Sequence, residues 1–151
     1  PAAAPAADAD RARRQAERLL LHLMVHEAAR RPAIAARLGP QDFADPVHQT
    51  LARALFEAPS GEPEAVRDRL MDEPAERLFL ALLFDDPPVG EKDRERAVQD
   101  AVTYIVERLP AARRREALAR AIAAAQTAGD VEQVRRLQAE YLHLVGRTSH
   151  G

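Results

Sequence analysis

Apolar residues recur every three to four positions in the segments between successive prolines, and this period constrains the fold more than any other feature of the sequence. In the first long segment, Leu20, Leu23 and Met24 share one face of a helix, and Leu21 and Val25 lie on the opposite side. A helix that is apolar on two sides is usually packed between neighbours, so we expect this helix to be central. Ala, Leu, Arg and Glu, which all favour helix, dominate the composition. The sequence therefore predicts an all-α fold.

Proline and aspartate mark the starts of the predicted helices. Proline is tolerated in the first turn of a helix, and Asp45 is expected to cap the helix that begins at Pro46. Residues 102–106 (VTYIV) have the propensity of a strand, but the surrounding period is helical and no second strand exists to pair with them. A bundle of about six helices is predicted, over residues 10–30 (capped by Asp8 or Asp10), 32–38, from Pro46, 63–71, 74–84 and 91–108.

The chain is predicted to divide into four regions. Residues 1–9 are interpreted as an extended Pro/Ala linker, and because the chain begins without Met we expect it to be a segment of a longer protein. Residues 10–109 would form the helical-bundle subdomain, residues 110–146 a helical hairpin and residues 147–151 a tail.

The predicted hairpin is the region most suggestive of function. Gly129 suits a left-handed helix stop, and Asp130 can cap the following helix. The first helix of the predicted hairpin has only a narrow apolar stripe of Leu118, Ile122 and Ala125, so the two hairpin helices bury little apolar surface against each other. We therefore expect the hairpin to dock on a partner.

Charge separates the hairpin from the rest of the chain. Residues 110–151 contain 7 arginines and 4 acidic residues, whereas residues 1–109 contain 15 basic and 20 acidic residues. This contrast suggests an acidic or apolar protein partner. A net charge of −2 and 4% aromatic residues argue against strong nucleic-acid binding by this domain. Arginine supplies 21 of the 22 basic residues, which indicates a compositional bias rather than phosphate binding.

Few residues could carry chemistry. His22 and His26 share a helix face beside Glu27 and could hold a metal, but their order differs from the zinc-protease motif and packing beside the core is the favoured interpretation. Asp85 and Asp86 could bind magnesium, although loop solvation or helix capping explains them more simply. The chain has no cysteine and no glycine-rich phosphate loop. We predict no catalytic residue, metal or cofactor in this chain.

Three segments and the predicted hairpin together resemble a known family. Residues 17–24 (ERLLLHLM), 32–35 (PAIA) and 42–48 (DFADPVH) are similar to the C-terminal helicase-binding domain of bacterial DnaG-type DNA primases. In that family a leucine-rich helix is followed by a short helix after a proline, an Asp-Phe element ending in His, and a further helix. The predicted hairpin resembles the closing pair of helices, so the resemblance covers about residues 10–146.

The resemblance implies a non-enzymatic protein-interaction domain that docks primase on the N-terminal collar of the hexameric replicative helicase and modulates primer synthesis. It also implies that this domain belongs to a cytoplasmic bacterial DNA primase, a component of the primosome that acts at the DNA replication fork. The full primase would be a nucleotidyltransferase, namely a DNA-directed RNA polymerase. The zinc and magnesium that such a primase uses would be bound by upstream domains. The hairpin would supply apolar anchors and a charged rim. The candidate partner-binding residues are Arg135, Arg136, Leu137, Tyr141, Leu142 and Leu144.

Two other interpretations stay open. The N-terminal domain of DnaB-type replicative helicases is similar in fold and in the first segment, but a helicase would continue into a linker helix and a nucleotide-binding domain. The chain could instead be an unrelated all-α adaptor or regulator whose hairpin forms homodimers.

Overall fold

The computed structural model describes residues 3–148, and side chains over residues 8–146. This part of the chain is helical and contains no strand, which confirms the predicted all-α class and the helical state of residues 102–106. None of its helices is both long and apolar enough to cross a membrane. The helices are α1 (Ala3–His26), α2 (Arg31–Ala35), α3 (Pro46–Glu57), α4 (Pro63–Arg67), α5 (Glu73–Leu83), α6 (Arg94–Thr103), α7 (Leu109–Ala128) and α8 (Val131–Thr148).

The chain divides between Val106 and Glu107 into two compact units. We call the described residues before this point the body unit and those after it the hairpin unit. The predicted boundary, between residues 109 and 110, lies three positions later in the chain. Residues 147 and 148 of the predicted tail belong to α8, and residues 149–151 lie outside the described residues.

Helix α1 is the central element of the body unit, as its two apolar sides predict. It packs against α3, α5 and α6. Leu20, Leu23 and Met24 on one side and Leu21 on the other are all 0% exposed, and Val25 is also buried. Each such side chain contributes about 1.5–3 kcal/mol of transfer free energy. The first predicted helix therefore organises the core.

The start of α1 differs from the prediction. The expected linker over residues 1–9 was wrong from Ala3 onward, because those residues already belong to α1. Alanine is the strongest helix former, and Pro5 lies in the first turn, where no amide donor is needed. Asp8 and Asp10, expected as caps, are consequently exposed residues inside the helix.

The predicted cap of α3 is confirmed. Asp45 Oδ1 accepts hydrogen bonds from the amides of Val47 (2.9 Å) and His48 (3.4 Å), and Pro46 opens the helix. Just before this cap, the side chain of Phe43 is 0% exposed. Together the cap and this buried aromatic residue fix how the chain enters α3.

The sixth predicted helix, residues 91–108, is divided in the structure. A 3₁₀ turn (Glu91–Asp93) precedes α6, and a π-helical turn (Tyr104–Arg108) follows it. Pro110, the first residue of the predicted hairpin, lies in the first turn of α7, where its missing amide hydrogen is tolerated. Periodicity predicted helix here and could not reveal the widened turn.

Candidate protein-docking surface

The turn between α7 and α8 is built by local sequence signals. Gly129 has φ = 74°, and its amide donates to the carbonyl of Gln126 (3.1 Å). The amide of Asp130 donates to the carbonyl of Ala125 (3.0 Å), which completes a Schellman motif. Asp130 Oδ1 then accepts the amide of Gln133 (3.1 Å) and caps α8. The chain therefore reverses direction within two residues, as predicted.

The interior of the hairpin unit is small. On α7, Leu118 and Ala125 are each 8% exposed and are the buried hydrophobic residues of the described part of this unit. An ion pair between Arg114 and Glu140 (2.7 Å) joins α7 to α8, but both side chains are largely exposed and the pair contributes at most about 1 kcal/mol. The unit thus has little apolar area of its own.

The six candidate partner-binding residues do not form one face. Leu137, Tyr141 and Leu144 are half-buried, in line with a role in packing, whereas Leu142 is 70% exposed. On a helix with 3.6 residues per turn, Leu142 and Leu144 project about 160° apart. The structure therefore separates Leu142 from the three half-buried candidates.

The two candidate arginines are also separated. Arg135 precedes Leu142 by seven positions and lies on its side of the helix, whereas Arg136 projects elsewhere and donates a hydrogen bond to Gln133. Only Arg135 is placed to form a rim beside Leu142.

Val131 is a surface residue that the sequence prediction missed. It is 68% exposed and lies eleven positions before Leu142, about three helical turns along the same side of α8. Arg135 and Gln138 lie between them, and both are exposed. We call these four residues the outer stripe of α8. The three-turn spacing of the two apolar residues was the signal that could have identified it.

The histidine pair of the body unit is bound to the main chain. His22 Nε2 lies 2.9 Å from the carbonyl oxygen of Asp85, and His26 Nε2 lies 2.7 Å from that of Leu82. Leu82 lies in the last turn of α5, where the helix leaves carbonyl acceptors unpaired, and Asp85 lies two positions after the helix ends. The two imidazoles thus tie α1 to the end of α5 and to the loop that follows it. Asp86, like Asp85, is exposed in the loop that follows.

A second polar contact, between Glu17 and His48, was not foreseen. Glu17 is 0% exposed, and its carboxylate lies 2.8 Å from His48 Nδ1 and accepts the amide of Ala44 at 2.9 Å. Arg13 Nε lies 3.7 Å from the same carboxylate. The contact joins α1 to the start of α3 over 31 positions, a distance that no local pattern reveals.

Two ionisable groups of the body unit that contact each other, Glu95 and Arg30, have shifted pKa values. The pKa of Glu95 is lowered because its carboxylate accepts hydrogen bonds from Gln99 (3.1 Å) and from Arg30 (2.7 Å). The pKa of Arg30 is raised because its guanidinium donates hydrogen bonds to Glu27 (2.9 Å) and to Glu95. Within residues 8–146 no group of three histidine, aspartate or glutamate side chains is arranged to hold a metal ion.

The hairpin unit carries the features of a candidate protein-docking surface. Its outer stripe offers apolar side chains and one adjacent cation, the two features that commonly anchor and orient a protein contact. Comparisons with protein-family models, with curated proteins and with solved structures found no match to this chain.

Proposed function

We propose that the chain is the helicase-binding domain of a bacterial DnaG-type primase and that the hairpin unit docks on the N-terminal domain of the hexameric replicative helicase. The proposal rests on the resemblance of three sequence segments to that family and on the outer stripe of α8. The outer stripe is the observation that carries it. A domain of this kind would hold primase near newly unwound DNA by raising its effective concentration there.

The exposure of Leu142 and Val131 is the main support for docking. Single exposed apolar residues are common on protein surfaces and need no explanation. Here two of them lie about 16 Å apart on one side of one helix, at 70% and 68% exposure. This spacing suits a helix that lies in a groove of a partner and inserts apolar anchors. Arg135 between them would face an acidic rim.

The half-buried candidates have a different role in this proposal. Leu137 and Tyr141 would hold α8 against α7 and so present the outer stripe, while Leu142 would make the direct contact. Truncation of Leu142 should therefore weaken binding without weakening the hairpin, whereas truncation of Tyr141 should do both. This difference separates contact from support.

The test is titration of the full chain into the replicative helicase of the same organism, by calorimetry at low and moderate salt. We expect saturable binding that weakens as salt rises, because salt screens Arg135. Leu142→Ala should weaken binding by about tenfold or more, the loss typical of a central apolar anchor. Met71→Ala is the matched control, since Met71 is 94% exposed in the body unit.

Equal affinities of Leu142→Ala and Met71→Ala for the helicase would show that the outer stripe is not the contact surface. Absence of binding heat with a folded chain would show that the helicase is not the partner. Sedimentation of the chain alone distinguishes the alternatives. A monomer agrees with a docking domain, whereas dimers that Leu142→Ala dissociates would favour a self-associating adaptor. Formation of a ring-sized assembly would favour the helicase N-terminal domain.

A further inference from the structure

A cavity of about 500 Å³ lies in the body unit, beside the first half of α1, and takes no part in the proposed docking. We call it the α1 cavity. Most of its lining side chains come from one face of α1, and His48 of α3 supplies the rest of the lining. The lining residues are Asp10, Arg11, Arg14, Gln15, Arg18 and His48.

The charge of the α1 cavity is predominantly positive. Arg11, Arg14 and Arg18 are spaced three and four positions apart and therefore project from the same side of the helix. Arg14 and Arg18 form no ion pair or hydrogen bond with the described residues. Asp10 is the acidic residue of the lining, and its carboxylate lies 3.5 Å from Arg13. Two guanidinium groups are thus free to bind an anion.

His48 distinguishes this cavity from an ordinary arginine-rich helix surface. His48 is 7% exposed, and its Nδ1 lies 2.8 Å from the carboxylate of Glu17, which is 0% exposed. A buried carboxylate that accepts the Nδ1 proton fixes the orientation of the imidazole. Nε2 is then the ring nitrogen without a partner among the described residues. A protonated imidazole held in this way can donate Nε2–H to an oxyanion.

We propose that the α1 cavity binds a phosphate group. The guanidinium forks of Arg14 and Arg18 would bind two of its oxygens, because paired N–H donors match the geometry of phosphate. His48 Nε2 would donate to a third oxygen. Arg11 lies 3.8 Å from Asp8, with both side chains exposed, and would add longer-range attraction. The phosphate could belong to a free diphosphate-bearing metabolite or to a nucleic-acid backbone, and the chemistry of the contact is the same.

The experiment uses the full chain, with pyrophosphate as the free-phosphate probe and a short oligothymidylate as the phosphodiester probe. Imidazole signals are followed by carbon–proton NMR, with His48 assigned. We expect saturable shifts of the His48 signals that exceed those of His22 and His26, whose Nε2 atoms are engaged by main-chain carbonyls. Shifts with pyrophosphate alone identify a free phosphate, and shifts with the oligonucleotide alone identify a phosphodiester.

Matched variants separate the cavity from general charge attraction. Arg14→Gln combined with Arg18→Gln should weaken binding about tenfold or more, because both charge-assisted forks are lost. The control is Arg96→Gln on α6, a change of an exposed arginine outside the cavity lining. All three substituted side chains are exposed, so circular dichroism should show an unchanged fold. Absence of His48 shifts with both probes, or equal weakening by Arg96→Gln and by the cavity double variant, would overturn the proposal.

Discussion

Glu17→Ala should destabilise the body unit, because it removes the acceptor that serves three groups at once. His48 Nδ1 loses its partner at 2.8 Å, and the amides of Ala44 and Asp45 lose theirs at 2.9 Å and 3.5 Å. Arg13 Nε forms no hydrogen bond with the described residues and loses only the ion pair with the carboxylate 3.7 Å away. Each buried donor left unpaired costs about 1–3 kcal/mol. His48 is only 7% exposed, so water replaces its partner poorly, whereas Ala44 is exposed and its amide can be hydrated. Removing the buried carboxylate of Glu17 also removes the free-energy cost of burying it, which offsets part of this loss.

The expected net loss is about 2–3 kcal/mol in the free energy of unfolding. Urea unfolding followed by circular dichroism measures it, and Glu64→Ala is the control, because Glu64 is exposed on α4. A double-mutant cycle with His48→Ala should give a coupling of about 0.5–3 kcal/mol, as found for residues in direct contact. A loss for Glu17→Ala no larger than for Glu64→Ala, or additive effects in the cycle, would refute this account of the contact.

Two further perturbations test local features. Gly129→Ala should destabilise the hairpin unit by about 1–2 kcal/mol through backbone strain alone, because φ is 74° and an added Cβ would meet nothing within 4 Å. Gly146→Ala, where an added Cβ also meets nothing, should be neutral or stabilising in thermal unfolding, and equal effects at both glycines would contradict the strain argument. Glu95 has a lowered pKa through Gln99 and Arg30, so its contribution to stability is present above the unfolded pKa and is lost as the pH falls through the folded pKa. The difference in stability between the wild type and Glu95→Gln should therefore shrink on acidification, and a pH-independent difference would refute the assignment.

The predicted docking surface was only partly accessible to sequence reasoning. The sequence placed the candidate residues on one helix, and Leu142 is exposed there. It did not distinguish Leu142 from Leu137 and Tyr141, which are half-buried, because that depends on how α8 packs. Helicase docking itself remains a prediction that rests on the resemblance and on the outer stripe of α8.

Local signals determined the all-α class and several helix ends. Apolar spacing identified the central role of α1, Asp45 identified the cap of α3, and Gly129 identified the stop of α7. These features depend on residues within a few positions of one another, so a sequence window contains their cause. The prediction of a linker was wrong for residues 3–9, which form the first part of α1 because alanine strongly favours helix.

Only the tertiary structure decided the partners of the polar side chains. Glu17 meets His48 across 31 positions, and His22 meets the carbonyl of Asp85 across 63 positions. Such contacts form because the apolar packing of α1 against α3 and α5 buries these polar groups. A buried polar group needs a hydrogen-bond partner within the protein. Which group it finds is set by the packing of whole helices, and the α1 cavity with His48 in its wall is a result of that packing.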